Sequence, residues 1–186
     1  MSERRAEIAG YRGPLECVGP DELDTLEATG LYVAEEKHDG CFAELIVIGG
    51  MVSEIYSRSG LPLDDAWPLL DLRLRPSGGA VLHGEHLADG AIWIWDAPML
   101  ADKDLRDWPL AARRAALEAW YSTVDPAARD DVRLAEQRTA GFRAFFDQIV
   151  GQGGEGIVIK AKHSTLATRR ADGKLRDWVK VKARPD

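Results

Sequence analysis

Apolar residues in this chain come mostly in short runs broken by glycine turns, a pattern that favours strands. Residues 41–48 (CFAELIVI) and 51–57 (MVSEIYS) flank Gly49-Gly50, which predicts a hairpin. Residues 80–87 (AVLHGEHL) and 91–97 (AIWIWDA), joined across Asp89-Gly90, predict another pair. A strand over 31–36 (LYVAEE) runs into Lys37, and GIVIKA forms one over 156–161. In 177–183 (DWVKVKA), Val179 and Val181 alternate with Lys180 and Lys182, so a period of two sets both lysines on one face. Elsewhere the period is helical. Gly19-Pro20-Asp21 before ELDTLEAT and Gly30 predicts a helix over about 20–29. Residues 109–124 place Leu110, Leu117, Trp120 and Tyr121 on one helical face, with Arg113 and Arg114 expected on the other. A further helix over about 140–150 carries Phe142, Phe145, Phe146 and Ile149.

Strands joined by tight turns, with helices interspersed, predict an α+β fold of antiparallel β-sheets flanked by helices. No repeat or linker divides the chain, and 186 residues suit a single domain over 1–186. Exposed loops are expected at 73–80 (RLRPSGGA) and 163–176. With 45% hydrophobic and 30% charged residues, a disordered or collagen-like chain is excluded. The start, MSERRAEIAG, is no signal peptide, and the longest apolar stretch, Leu45–Val52, holds two glycines and is too short to span a bilayer. A cytoplasmic protein without membrane contact is expected. Cys17 and Cys41 offer no CxxC and are read as buried thiols.

The net charge of −7 hides an asymmetry. From Lys160 to Asp186, nine Lys or Arg face three Asp, a balance of +6 against −13 for the preceding residues. Affinity for polyanions follows the local field, so this segment suits phosphate contacts as well as it suits a solvated tail.

Some motifs fail their context. GQGGEG at 151–156 satisfies GxGxxG, but it follows a helix and precedes a strand, the reverse of a dinucleotide-binding turn. His83-Gly84-Glu85 matches the HxE of zinc deaminases, yet no PCxxC follows. His83 and His86 fall on opposite faces of a strand and would not converge on a metal. No GxxxxGK[ST] loop is present.

Another set of motifs is coherent. Lys37-His38-Asp39-Gly40 resembles the KxDG signature of covalent nucleotidyltransferases, the superfamily of polynucleotide ligases and capping enzymes. The superfamily's other motifs follow in order: Ser57-Arg58-Ser59-Gly60 resembles the second, His83-Gly84-Glu85 the third and IWIWD (92–96) the aromatic-Asp motif, while EGIVIK (155–160) and WVKVK (178–182) resemble the fourth and fifth. The last two spellings, with Arg113 and Arg114 upstream, are most similar to ATP-dependent DNA ligases.

The resemblance implies that Lys37 attacks the α-phosphate of ATP to give a lysyl-adenylate; a lysine amine is a nucleophile only when neutral. It implies that Trp95 stacks on adenine, Glu35 reads the adenine amino group and Glu85 contacts the ribose or a metal. Glu155 and Glu85 would be the carboxylates for Mg2+, and Lys180 and Lys182 would hold the α-phosphate. Arg58 would bind a phosphate end. A carboxylate beside Ile157 and Ile159 needs a metal or a cation as neighbour whatever the family.

Two features depart from the family pattern. Where DNA ligases usually carry Arg two residues after the KxDG glycine, this chain has Phe42, as some RNA ligases do. The sequence also stops four residues after Lys182, where ligases continue into an oligonucleotide-binding barrel, so a separate protein or domain supplying that barrel is expected. The reading is an ATP-dependent polynucleotide ligase adenylation domain, a monomer, that transfers AMP to a 5′-phosphate and joins it to a 3′-hydroxyl, with nicked duplex DNA the favoured partner. An RNA ligase, a capping-type guanylyltransferase and a non-catalytic module that binds a nucleotide or a nucleic-acid end stay open beside it.

Overall fold

A computed structural model describes residues 16–166 and 178–183. Arg169, Arg170, Lys174, Arg176 and Arg184 of the basic segment, and most of the loop expected at 163–176, lie outside the described residues. In chain order the elements are β1 (Glu16–Cys17), α1 (Leu23–Ala28), β2 (Tyr32–Glu36), β3 (Cys41–Ile48), β4 (Met51–Tyr56), β5 (Ala80–His86), β6 (Ile92–Leu100) and β7 (Lys103–Asp104). Then follow α2 (Leu110–Ser122), β8 (Val132–Leu134), β9 (Gln137–Arg138), α3 (Phe142–Gly151), β10 (Gly156–Ala161) and β11 (Trp178–Lys182). No helix among the described residues is long and apolar enough to cross a membrane. The chain divides into two compact units, one of Gly40–Leu134 and one of the described residues of Arg12–Asp39 and Ala135–Asp186.

The first unit is built on a sheet of order β4-β3-β5-β6-β7, antiparallel throughout, with β8 added in parallel beside β6. Gly49 and Gly50 both have positive φ, 60° and 78°, the geometry that lets a two-residue turn follow the twist of its strands. Alternation sends Ala43, Leu45, Val47, Leu82, Ile92 and Ile94 into a core shared with Leu117 and Trp120 of α2 and with Ala66 and Leu69 of a 3-10 helix, Asp64–Leu69. The opposite face of β3 and β5 carries Phe42, Glu44, His83 and Glu85, with Phe42 level with Glu85 and Glu44 with His83. Pairing between β5 and β6 passes from Gly84↔Ile94 to His83↔Asp96, so Trp95 is the extra residue of a bulge.

The second unit has a sheet of order β1-β11-β10-β2-β9, antiparallel except for the β1–β11 pair. One face is apolar: Ala34, Ile157, Ile159 and Val181 pack on Leu23 of α1 and on Phe142, Phe145, Phe146 and Ile149 of α3. Glu27 of α1 caps α3 by accepting from the N–H groups of Gly141 and Phe142, both at 2.8 Å. The other face carries Glu35, Lys160 and Trp178, with Lys180 and Lys182 in alternation.

Three sequence expectations are corrected. Arg113 and Arg114 are buried, because their offsets of three and four from Leu110 and Leu117 put them on the core-facing stripe. Cys17 and Cys41 are exposed, one on a two-residue edge strand and the other opening β3. The segment 73–80 is anchored: Leu74 is fully buried and donates its N–H to Gly50 O at 2.7 Å.

Candidate active site

In the second unit, Lys37 follows β2 and stays on its ladder, its N–H donating to Gly156 O at 2.9 Å. Its Nζ donates to Glu155 Oε2, and Lys182 Nζ donates to Glu155 Oε1 at 2.6 Å. One carboxylate thus stands between two ammonium groups, leaving a net positive charge where all three side chains are still partly exposed. Burial alone would raise the Glu155 carboxyl, but the hydrogen bonds and charges of Lys182 and Lys37 outweigh it and hold it below the usual carboxylate range. Glu155 lies in the turn just before β10 rather than within the strand. Gly156 makes the approach possible: its φ is +144°, and a Cβ there would lie 2.0 Å from Val181 O.

On the same sheet, Glu35 and Lys160 are both buried and bonded to each other at 2.5 Å, and Gln137 Nε2 donates to the second Glu35 oxygen at 2.8 Å. The Lys160 ammonium sits 4.2 Å from the Trp178 ring centroid. His38 is pushed down to about 4 by burial and by the charges of Lys160 and Lys37, so its imidazole is neutral at physiological pH.

In the first unit, His83 is not a ligand in waiting but part of a buried cluster. Its Nε2 is 3.0 Å from Glu44 Oε2, and its ring lies 5.2 Å from Phe42 and 5.6 Å from Trp95. Phe42 and Trp95 are 6.1 Å apart, and the Arg58 guanidinium stands 6.0 Å from the Phe42 ring. Trp95, Arg58 and Phe42, assigned from four separate stretches of sequence together with His83, therefore gather in one place. Glu85 stands level with Phe42 on β3 and Trp93 on β6. Gly84 permits this close packing, because a Cβ there would come within 2.7 Å of Trp93 O.

Sequence reasoning missed Glu44, Gln137 and the role of Arg113. A charge inside an apolar strand marks Glu44, and the helical offset marks Arg113; nothing in the sequence marks Gln137, whose two-residue strand is too short for a periodic signal.

The set Lys37, Glu155 and Lys182 fits a phosphate group: two ammonium donors, one of them beside a carboxylate that can orient it. Magnesium prefers carboxylate, water and phosphate oxygens and needs only one or two protein carboxylates beside a phosphate. Among the described residues no three His, Cys, Asp or Glu side chains gather into a ready-made cage. Glu155 has a lysine ammonium on each of its two oxygens.

No curated protein matches the chain. Among solved structures, a mycobacterial DNA ligase D complexed with ATP and MES aligns with a TM-score of 0.68 at 21% identity, over 92% of this chain and 60% of that one. The ligase domain of LigD from M. tuberculosis aligns with a TM-score of 0.71 at 20% identity, over 91% and 60%. A structure from a study of DNA binding by minimal-scaffold Lig E DNA ligases gives 0.60 at 16% identity, over 92% and 69%. At such identities the likeness is one of fold, and the chain spans about 60% of the length of the first two. The model of the ATP dependent DNA ligase domain matches residues 83–182, more than half of the chain, including the third, fourth and fifth motifs. By that match the chain belongs to the ATP-dependent DNA ligase domain family, a family of nucleotidyl-transferring enzymes that use ATP.

Proposed function

We propose that residues 1–186 act as one adenylation domain, in which Lys37 becomes covalently adenylated from ATP and AMP passes to a 5′-phosphate end of nucleic acid. The observation that carries this reading is the placement of Lys37, which opens KHDG directly after β2, and Lys182 on opposite oxygens of Glu155. The neutral Lys37 Nζ attacks the α-phosphorus; a P–N bond forms as the P–O bond to pyrophosphate breaks, pyrophosphate leaves with the electron pair, and the attacking nitrogen passes one of its two protons to solvent and keeps one N–H. Glu155 orients the amine through its hydrogen bond, while Lys182 and Lys180 supply positive charge to the phosphate as negative charge grows on it. In the second step a 5′-phosphate oxygen attacks the same phosphorus and the P–N bond breaks. In the third, a 3′-hydroxyl attacks the 5′-phosphate and AMP leaves.

Trp95 is the proposed platform for adenine and Arg58 the contact for a phosphate end. Glu35 is held by Lys160 and Gln137, yet each carboxylate oxygen retains a second lone pair with which to accept from the adenine amino group. Glu85 is the proposed contact for the ribose or for Mg2+, which when bound would neutralise phosphate charge. Nicked duplex DNA is the proposed substrate. Phe42, packed against His83 and Trp95 where DNA ligases usually have Arg, favours an RNA ligase as the second reading.

Intact-mass spectrometry after incubation with ATP and Mg2+, repeated with GTP and NAD, tests the first step. A mass gain of one AMP from ATP alone is expected. No gain with any nucleotide, in folded protein, would overturn the reading in favour of a non-catalytic binding module.

A further inference from the structure

A buried carboxylate needs a partner, and Glu35, 2% exposed, has a full one in the ammonium of Lys160, 3% exposed, at 2.5 Å. The cation of this pair is itself immobilised. It stands 4.2 Å from the Trp178 ring centroid, the Trp178 indole donates to Ser164 Oγ at 2.7 Å, and the Ser164 hydroxyl donates to Ala161 O at 2.7 Å. The charge of Glu35 is therefore balanced, and Lys160 is held, without help from β9.

Gln137 adds something else. It stands directly opposite Glu35 in the register of β2 and β9, half-buried, and its Nε2 donates to Glu35 Oε1 at 2.8 Å. Its carboxamide has no other hydrogen-bond partner among the described residues. Nor does β9 depend on that bond to stay in place: on the opposite face the Arg138 guanidinium lies 4.3 Å from the Phe145 ring centroid, and Arg138 Nε donates to Glu136 Oε1 at 2.8 Å. The consequence for Glu35 is geometric. Held at one oxygen, a carboxylate turns about its last torsion; held at both, by donors from the strands on either side of β2, it does not. Each oxygen then offers its remaining lone pair in a fixed direction. A neutral amide achieves this without a second positive charge, which would compete for those lone pairs. The 6-amino group of adenine is a donor and the 6-oxo group of guanine an acceptor, so fixed acceptors tell them apart.

We propose that Gln137 is a positioning residue that sets the base specificity of the nucleotide site: by pinning Glu35 it lets that carboxylate accept from the 6-amino group of adenine and turn away guanine. The proposal rests on the reading of Glu35 as the adenine contact of an adenylating enzyme, and its test keeps the two apart.

Binding and chemistry are read separately on the full chain. Calorimetric titration uses AMP, GMP and purine riboside 5′-monophosphate, which has hydrogen in place of the 6-amino group; none carries a pyrophosphate to displace. The wild type is expected to bind AMP about tenfold tighter than the purine riboside nucleotide, the worth of one hydrogen bond to a charged group, and Gln137→Leu to bind the two within about twofold of each other. In mass kinetics with ATP, Gln137→Leu should raise the half-saturating concentration about tenfold at an unchanged limiting rate, because the lost interaction is one of binding. Gln137→Ala, which removes the amide without setting an apolar branch beside the carboxylate, should behave alike and decides the matter if Gln137→Leu melts early. An AMP preference kept by both variants would overturn the proposal, as would equal weakening of all three nucleotides, the mark of a merely structural role. A wild type that binds AMP no better than the purine riboside nucleotide would overturn it too. A preference present in the wild type and lost in the variants, with no AMP mass gained from ATP, would uphold it and overturn the adenylation reading; AMP mass gain with the preference intact in the variants would do the reverse.

Discussion

Arg113 and Asp96 form a two-pronged ion pair sealed from solvent: Nε donates to Oδ1 at 2.8 Å and Nη2 to Oδ2 at 2.7 Å, with side-chain exposures of 0% and 1%. A third bond, from Arg113 Nη1 to Trp108 O at 2.6 Å, ties the same guanidinium to the approach of α2. Asp96 follows the bulged Trp95, so the pair fastens the helix to the strand that carries the aromatic cluster. Removing one partner leaves a buried charge uncompensated. Arg113→Leu is expected to cost about 3–5 kcal/mol in urea unfolding, and the double variant with Asp96→Leu to recover part of that loss. A single-variant loss below about 1 kcal/mol would show that the pair contributes little.

Lys37→Arg distinguishes nucleophile from ion-pair partner. Arginine keeps a cation beside Glu155 but is not deprotonated in proteins. The variant is expected to unfold at the same temperature as the wild type and to gain no AMP mass. Adenylation of this protein would move the nucleophile to another lysine.

Glu155→Gln leaves Lys37 and Lys182 without the charge that separates and orients them. Adenylation is expected to slow about 100-fold, the size of effect that loss of positioning produces. Stability should change by less than about 1 kcal/mol, because these side chains remain partly exposed and the pairs are screened by solvent. Circular dichroism with single-turnover mass kinetics separates the two effects; a variant that fails to fold would make Glu155 a structural residue.

His38 gives a pH signature. Its folded value of about 4 lies below the ordinary 6.5, so on acidification the unfolded chain takes the proton first. Its contribution to stability is full above pH 6.5 and is lost as pH falls toward 4, on the order of 3 kcal/mol at the lower end. Urea unfolding of the wild type and of His38→Gln at pH 7, 5.5 and 4.5 should show the wild type losing the more stability. Parallel losses would mean that the imidazole is protonated within the fold.

The strands and helices were largely legible because each carries its own period. The runs 41–48 and 156–161 coincide with β3 and β10, and the helices expected over 109–124 and 140–150 fall within two residues of α2 and α3 at both ends. The 3-10 helix Asp64–Leu69 was not legible: it contains Pro68 and has no turn-to-turn repetition to detect. Within the candidate site, the motif lysines and Glu155 could be named in advance, but their joint hydrogen bonding depends on a pairing of β2, β10 and β11 that no local pattern specifies. The aromatic cluster depends likewise on a bulge at Trp95, a register shift visible only once β5 lies beside β6.

The second unit is discontinuous, since the whole of Gly40–Leu134 intervenes between its two stretches of chain. Lys37 and Glu155, which share a hydrogen bond, are 118 residues apart. On a ribosome, β3 to β8 can pair and bury their core while β10 and β11 are still unmade, whereas β2 must wait as an unpaired strand for its neighbours β9 and β10. Lys37, the proposed nucleophile, is thus among the early residues to be synthesised and among the late ones to be placed, and its charge partner becomes available only after the intervening unit has had time to fold.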